Sequence, residues 1–180
     1  MSMDEDRFGT VTRSGAGFDL HSARRIAPPI ERVWAAITMP ERIARWFAET
    51  EVQIEPRLGG AYRLRFGPES PFMEGEITAF EPPRLLEHTW PQPPDPPGVV
   101  RYELEPDGDG CVLRLTNLNV PAMYISSLAG WHIFLDAVAP SLDGVRVAWT
   151  VDQEKALMDV YESRIPWLKD LEPDQSPPKP

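Results

Sequence analysis

Residues 27–47 read "APPIERVWAAITMPERIARWF", and they are followed in chain order by "RLGGAYRLRF" (57–66), "RLLEHTW" (84–90), "LRLTNLNV" (113–120) and "GWHIFLDAV" (130–138). In the first stretch Ile30, Val33, Trp34 and Ile37 recur at three-and-four spacing. They line one side of a helix from about Pro29 to Thr38, with Glu31 and Arg32 directed away. Pro28 and Pro29 disfavour helix before them but suit a helix start. Pro40 breaks the helix, and Ile43, Trp46 and Phe47 form a second apolar stripe beyond it. Two short helices in tandem are expected to brace one open end of a sheet.

Working outward, the flanking segments alternate with period two. "GFDLHSARRIA" makes a first strand or hairpin, with Phe18, Leu20 and, after a register change, Ile26 on the apolar face. In "GGAYRLRF" Tyr62, Leu64 and Phe66 share one face, and Arg63 and Arg65 share the other with Ala61, as a half-buried strand requires. Gly59 and Gly60 supply the turn before it. "FMEGEITAF" groups Met73, Gly75, Ile77 and Ala79, with Gly75 a candidate for a bulge or bend. "RLLEHTW", "VVRYELEP" and "CVLRLTNLNV" continue the pattern, and "PDGDG" marks a hairpin turn between the last two. About six or seven antiparallel strands result. Arg63, Arg65 and Arg101 read as the solvated outer face, cross-paired with Glu74, Glu76 and Glu103.

The late helix is expected from about Met123 to Leu142, where Leu128, Trp131, Leu135, Val138 and Leu142 form a wide apolar face. A sheet with one apolar face needs a cover, and this helix is large enough to supply it. "DQEKALMDVYESRIPWL" predicts an additional helix N-capped by Asp152, with Ala156, Leu157, Val160, Tyr161 and Ile165 on its stripe. The expected class is α+β: a curved antiparallel sheet around a long C-terminal helix, with two short helices after the first strand and an extra helix at the end.

Composition bounds the function. The 180 residues are 42% apolar, enough for one domain with a real core, expected over residues 1–170. Twenty-one prolines cluster at the joints and in the tail, where residues 171–180 lack apolar groups to support ordering. Eighteen basic against 28 acidic residues give a net charge of −10, which repels phosphate backbones and anionic lipid and argues against nucleic-acid or membrane partners. No segment approaches the roughly 20 apolar residues that span a bilayer. The single Cys111 forms no internal disulfide, and "MSMDEDRFGT" has neither the basic start nor the apolar run of a signal peptide, so a cytoplasmic location is expected. His21, His88 and His132 are far apart, and no metal-ligand, phosphate-loop or nucleophile-elbow string occurs, so neither a metal nor another cofactor is expected.

The quoted segments, over about Asp19 to Gly144, resemble the bacterial homologues of the activator of heat-shock-protein-90 ATPase, a branch of the START and Bet-v-1-like (SRPBCC) superfamily of helix-grip domains. Pro28, Val33, Trp34, Pro40 and Trp46 match the family's first-strand end and helix pair. "RLGGAYRLRF" resembles its Gly-Gly hairpin, and Gly75, Pro82, Arg84, Leu85 and Trp90 its central hairpin. "GCVLRLTN" and "AGWHIFLDAV" resemble the late strand and closing helix. The resemblance implies a helix-grip fold and a family of small-molecule binders, regulator-associated proteins and relatives of a co-chaperone domain.

Three readings of function follow. The first is binding of a small apolar or amphipathic molecule, without catalysis, in a cavity between sheet and long helix. Tyr62, Leu64, Phe66, Met73, His88, Trp90, Asn117, Leu128, Trp131, His132 and Leu135 would line it, with His88, Asn117 and His132 approaching a common space. The second is a cyclase- or hydratase-type enzyme using His88, His132 or an interior acid. The third is a chaperone-associated or regulatory protein-interaction module, which predicts an exposed apolar patch. Read residue by residue, the alternative to ligand contact is that His88 faces solvent or satisfies one hydrogen bond in a mixed core, that Asn117 is satisfied structurally, and that the tryptophans Trp34, Trp46, Trp90 and Trp131 are core packing.

Overall fold

The period-two segments build one antiparallel sheet. In the computed structural model, which describes residues 7–171 except 16, 48 and 49, the strands are β1 (Thr10–Ser14), β2 (Gly17–Ile26), β3 (Thr50–Ile54), β4 (Ala61–Phe66), β5 (Met73–Glu81), β6 (Leu85–Gln92), β7 (Asp95–Asp107) and β8 (Gly110–Val120). The helices are α1 (Ile30–Thr38), α2 (Pro40–Trp46), α3 (Ser127–Leu142) and α4 (Val151–Arg164). Across the sheet the order is β1-β2-β8-β7-β6-β5-β4-β3. The chain leaves β2 near one edge and must reach β3 at the other, and α1 and α2 make that crossing. The sheet curves around α3 without closing, the helix-grip arrangement expected.

The count is eight strands instead of six or seven. β1 pairs with β2 as a hairpin, and "TEVQI" adds β3 against β4; five residues between a helix and Pro56 are too few for alternation to stand out. The register of β2 against β8 shifts between Phe18 and Leu20, earlier than expected, while the facing of β2 stays regular: Phe18, Leu20, Ser22, Arg24 and Ile26 all point inward and the two polar ones are buried with the rest. The bulge in β5 falls between Ile77 and Ala79, past Gly75. It turns Phe80 inward onto Trp34, with ring centroids 5.5 Å apart. Gly75 serves a close approach, since a Cβ there would lie 2.5 Å from the Thr89 carbonyl oxygen. Pro91, Pro96 and Pro97 lie inside β6 and β7, beside the irregular pairing at Trp90 and Gln92, where a missing N–H is tolerated.

α3 begins at Ser127, and a separate 3₁₀ turn spans Ala122–Tyr124. Together they form a stretch, Ala122–Leu142, long and apolar enough by length and composition to cross a membrane, contrary to the sequence expectation. Its apolarity has another cause: Leu128, Trp131, Leu135 and Val138 are buried, as are Ala129, Phe134 and Ala137 around the rest of the helix. The sheet covers one side of α3 and α4 packs on the other. α4 is N-capped by Thr150, not Asp152: the Thr150 hydroxyl accepts from Gln153 N and the Gln153 side chain accepts from Thr150 N, a reciprocal capping box. Only part of its expected stripe faces the core, for Ala156 and Val160 are exposed while Leu157, Tyr161 and Ile165 pack inward together with Met158. The proline-rich tail from residue 172 lies outside the described residues.

The outer face carries Arg63–Glu74, Arg101–Glu103 and Arg101–Glu87 pairs, and Arg65 takes Glu51 on β3. Such exposed pairs contribute little each. A more buried network ties the ends of the chain to α3. The Arg24 guanidinium, 8% exposed, donates to Asp136, and Arg7 and His132 reach the same carboxylate. His132 Nδ1 lies 2.8 Å from the Tyr161 hydroxyl of α4, which also accepts from Gly9 N at 2.9 Å. Burial alone would raise the Asp136 carboxyl, but the bonds from His132, Arg24 and Arg7 outweigh it and hold the group well below the usual carboxylate range. Asp136→Ala strands the Arg24 charge. Arg24 keeps bonds to the Ala23 and His132 carbonyls and Asp136 is partly exposed, so the expected loss is about 2 kcal/mol, below the range for fully buried pairs. Urea melts check it, and an unchanged midpoint would mean that water replaces the carboxylate.

Candidate functional site

The inward row of β6 is Leu86, His88 and Trp90, and it points at α3. His88 has no exposed surface. Its Nδ1 donates to the Thr89 carbonyl at 3.0 Å, its ring stacks on Tyr62 at 3.7 Å and 7°, and its Nε2 has no partner among the described residues. Burial lowers its pKa to about 4, against the opposing pull of the Thr89 carbonyl and Glu87. The imidazole is therefore neutral near pH 7, with an unshared lone pair on Nε2. Burial likewise drives the phenols of Tyr62 and Tyr102 well above their ordinary range.

Above this layer the helix and sheet separate. Trp131 lies 5.5 Å from Trp90 and 5.6 Å from Phe47 between ring centroids, and Phe47 meets Phe134 at 4.4 Å. Beyond these contacts an open cavity of about 310 Å³ lies at one end of the sheet. Phe47 at the end of α2, Phe66 at the end of β4 and Trp90 form one wall, and Gly130, Trp131 and Phe134 of α3 form the other. Tyr124, Ser126 and Ser127 lead into α3, while Trp149 and Glu154 line it from the start of α4. The Tyr124 hydroxyl is held by the Pro93 carbonyl at 2.6 Å. The Ser127 hydroxyl is buried without a hydrogen-bond partner among the described residues. Burial pushes the Glu154 carboxyl above its ordinary value, opposed by the nearby Trp149 indole, whose buried N–H nonetheless makes no geometrically sound hydrogen bond among the described residues.

Of the sequence-derived lining, Phe66, Trp90 and Trp131 meet at the cavity. Tyr62, Leu64 and His88 lie in the packed core below it, as do Leu128 and Leu135, and Met73 sits half-buried opposite Leu64. Asn117 is spent on structure: in the amide orientation that satisfies both ends, it accepts from Trp131 Nε1 at 3.0 Å and donates to the Val99 carbonyl at 3.3 Å. His132 does not join His88 and Asn117. One residue from Trp131 is a turn of about 100° on a helix, which sends it to the Asp136–Tyr161 network on the far flank of α3. The lining residues that sequence reasoning missed are Phe47, Tyr124, Ser126, Ser127, Gly130, Phe134, Trp149 and Glu154. Phe134 carried a signal, standing three residues after Trp131; Trp149 and Glu154 carried none, because a chain reversal brings them in.

Comparison with known proteins accords with this architecture. The sequence profile of the Activator of Hsp90 ATPase homolog 1-like proteins matches residues 27–139. The chain belongs to this family. Its domain is a helix-grip domain of the START and Bet-v-1-like superfamily. The crystal structure of CalU16 from Micromonospora echinospora superposes with a TM-score of 0.69 at 25% identity, over 89% of this chain and 94% of that one. The conserved protein EF2215 of Enterococcus faecalis, itself of unknown function, gives 0.71 at 18% identity over 89% and 91%, a likeness of fold alone. DynU16, described as a protein in the dynemicin biosynthetic locus, gives 0.62 at 25% identity over 73% of this chain and 51% of that one. Among proteins of curated function none matches. Fold and family support a ligand-binding module in general terms.

Proposed function

We propose that this chain binds a small apolar or amphipathic molecule in the cavity between the open end of the sheet and the first half of α3, without transforming it. The carrying observation is the cavity itself: about 310 Å³, walled by aromatic rings from the end of α2, β4, β6, α3 and the segments leading into α3 and α4, within the size range of small-molecule sites. Binding is favoured over turnover because the neutral His88 is sequestered beneath Trp90, out of reach of a molecule held above. The affinity comes from apolar area removed from water on both partners. The position of DynU16 in a biosynthetic locus is compatible with a cargo of metabolite size.

Gly130 gives the test. A Cβ at this position meets only Phe134, at 3.8 Å, an ordinary contact. Gly130→Ala is expected to stabilise the chain by about 1 kcal/mol through helix propensity. Gly130→Leu extends a branched side chain into the cavity. The neutral naphthalene dye prodan should bind the parent protein with a blue shift in emission, bind Gly130→Ala more weakly, and fail to bind a folded Gly130→Leu. Uptake that is undiminished in Gly130→Leu would place the dye elsewhere and overturn the reading.

A further inference from the structure

The cavity has a chemical bias that apolar burial alone does not use. Its walls are aromatic, and Glu154 is the one carboxylate among its described lining residues, which include no Lys, Arg or His. Aromatic faces attract cations through the negative potential above the ring, more strongly where water is excluded. The chain as a whole carries a net charge of −10, so its field also favours cationic over anionic ligands. The unpartnered Ser127 hydroxyl, on α3 in the same cavity, offers an acceptor oxygen besides the carboxylate. Extending the binding role proposed above, and resting on it, we infer that the ligand is a protonated amine on a flat apolar body, its ammonium drawn to Glu154 and its rings enclosed by Trp90, Trp131 and Phe134.

Several features set this apart from generic pocket filling. Glu154 and Trp149 lie beyond residues 27–139, the part matched by the family profile, so the proposed charge selectivity does not rest on the residues that define the family. Glu154 is placed by the Thr150–Gln153 capping box, which fixes the first turn of α4. Its carboxyl is partly desolvated, as its raised pKa reflects, and a cation restores the stabilisation that water no longer supplies.

The test uses three probes of one shape: 1-naphthylmethylamine, 1-naphthalenemethanol and 1-naphthoic acid, which are cationic, neutral and anionic near neutral pH. Calorimetric titration of the full chain is expected to show the amine binding about tenfold more tightly than the alcohol, with the acid weakest. In Glu154→Gln the advantage of the amine should vanish while the affinity of the alcohol stays within about twofold. Equal affinities for amine and alcohol, or an amine preference that persists in Glu154→Gln, would overturn the inference and leave the cavity reading intact. Failure of all three probes to bind would instead remove the cavity reading, and the amine assignment with it.

Discussion

Trp131→Ala is expected to destabilise the chain by about 3–5 kcal/mol, the range for truncating a large aromatic in a core. Trp131 is only 3% exposed and packs among Phe47, Trp90, Tyr102 and Phe134. The loss has two parts. Removing the indole opens a void between α3 and the sheet that rigid β-strands cannot collapse to fill. It also leaves the Asn117 side-chain oxygen, which accepts from Trp131 Nε1, buried and unpaired, a separate penalty of about 1–3 kcal/mol. Trp131→Phe separates them: it retains most of the packing and loses the hydrogen bond. Denaturant melts of the two variants read both parts, and a loss below about 1 kcal/mol for Trp131→Ala would show that the indole does not anchor the helix.

The part of the fold that was legible in sequence is the part whose signal is local. Ile30, Val33 and Ile37 specify a helix through their spacing alone. The inward rows of β4 and β7 repeat faithfully enough that alternation by itself groups Tyr62 with Leu64, and Val100 with Tyr102 and Leu104, all of them buried. Where polar residues occupy inward positions the pattern breaks down. Ser22 and Arg24 sit in the inner row of β2 because Asp136, on a helix more than a hundred residues later, supplies the counter-charge to Arg24. No window along the chain contains both halves of that pair. The bulge between Ile77 and Ala79 is hidden for a similar reason, since it is defined by pairing with His88 and Glu87 on the next strand.

The cavity was less legible than the fold. Trp90 and Trp131 are apolar residues on the correct faces, which identifies them as interior but does not say whether a given layer is filled or open. His88, Trp90 and Leu86 share one strand face, yet His88 is sealed by Tyr62 while Trp90, two residues along, borders open space. That difference is set by the divergence of α3 from the curved sheet and by the return of Trp149 and Glu154 across its end, both tertiary facts.

His88 supplies the second large expected effect, a pH dependence of stability with a defined sign. In the unfolded chain its imidazole titrates near 6.5, and in the folded chain burial lowers that to about 4. Between these values the unfolded state binds the extra proton, so stability falls as pH drops through this window and levels off, for this residue, below about 4. The folded state is held against 6.5 minus 4 pH units of protonation, which amounts to about 3 kcal/mol at 1.36 kcal/mol per unit. Asp136 acts with the same sign at lower pH: its depressed carboxyl stabilises the fold above the unfolded carboxylate range and loses that contribution as pH falls beneath it. The two contributions are therefore separable. His88→Phe keeps a ring against Tyr62, removes the unpartnered Nε2 and has no proton to gain. Urea melts at neutral pH and near pH 4 should show the parent losing most of this increment while His88→Phe stays nearly flat between pH 6.5 and 4. An equal acid loss in both proteins would mean that another group titrates in that interval and that His88 is hydrated when charged.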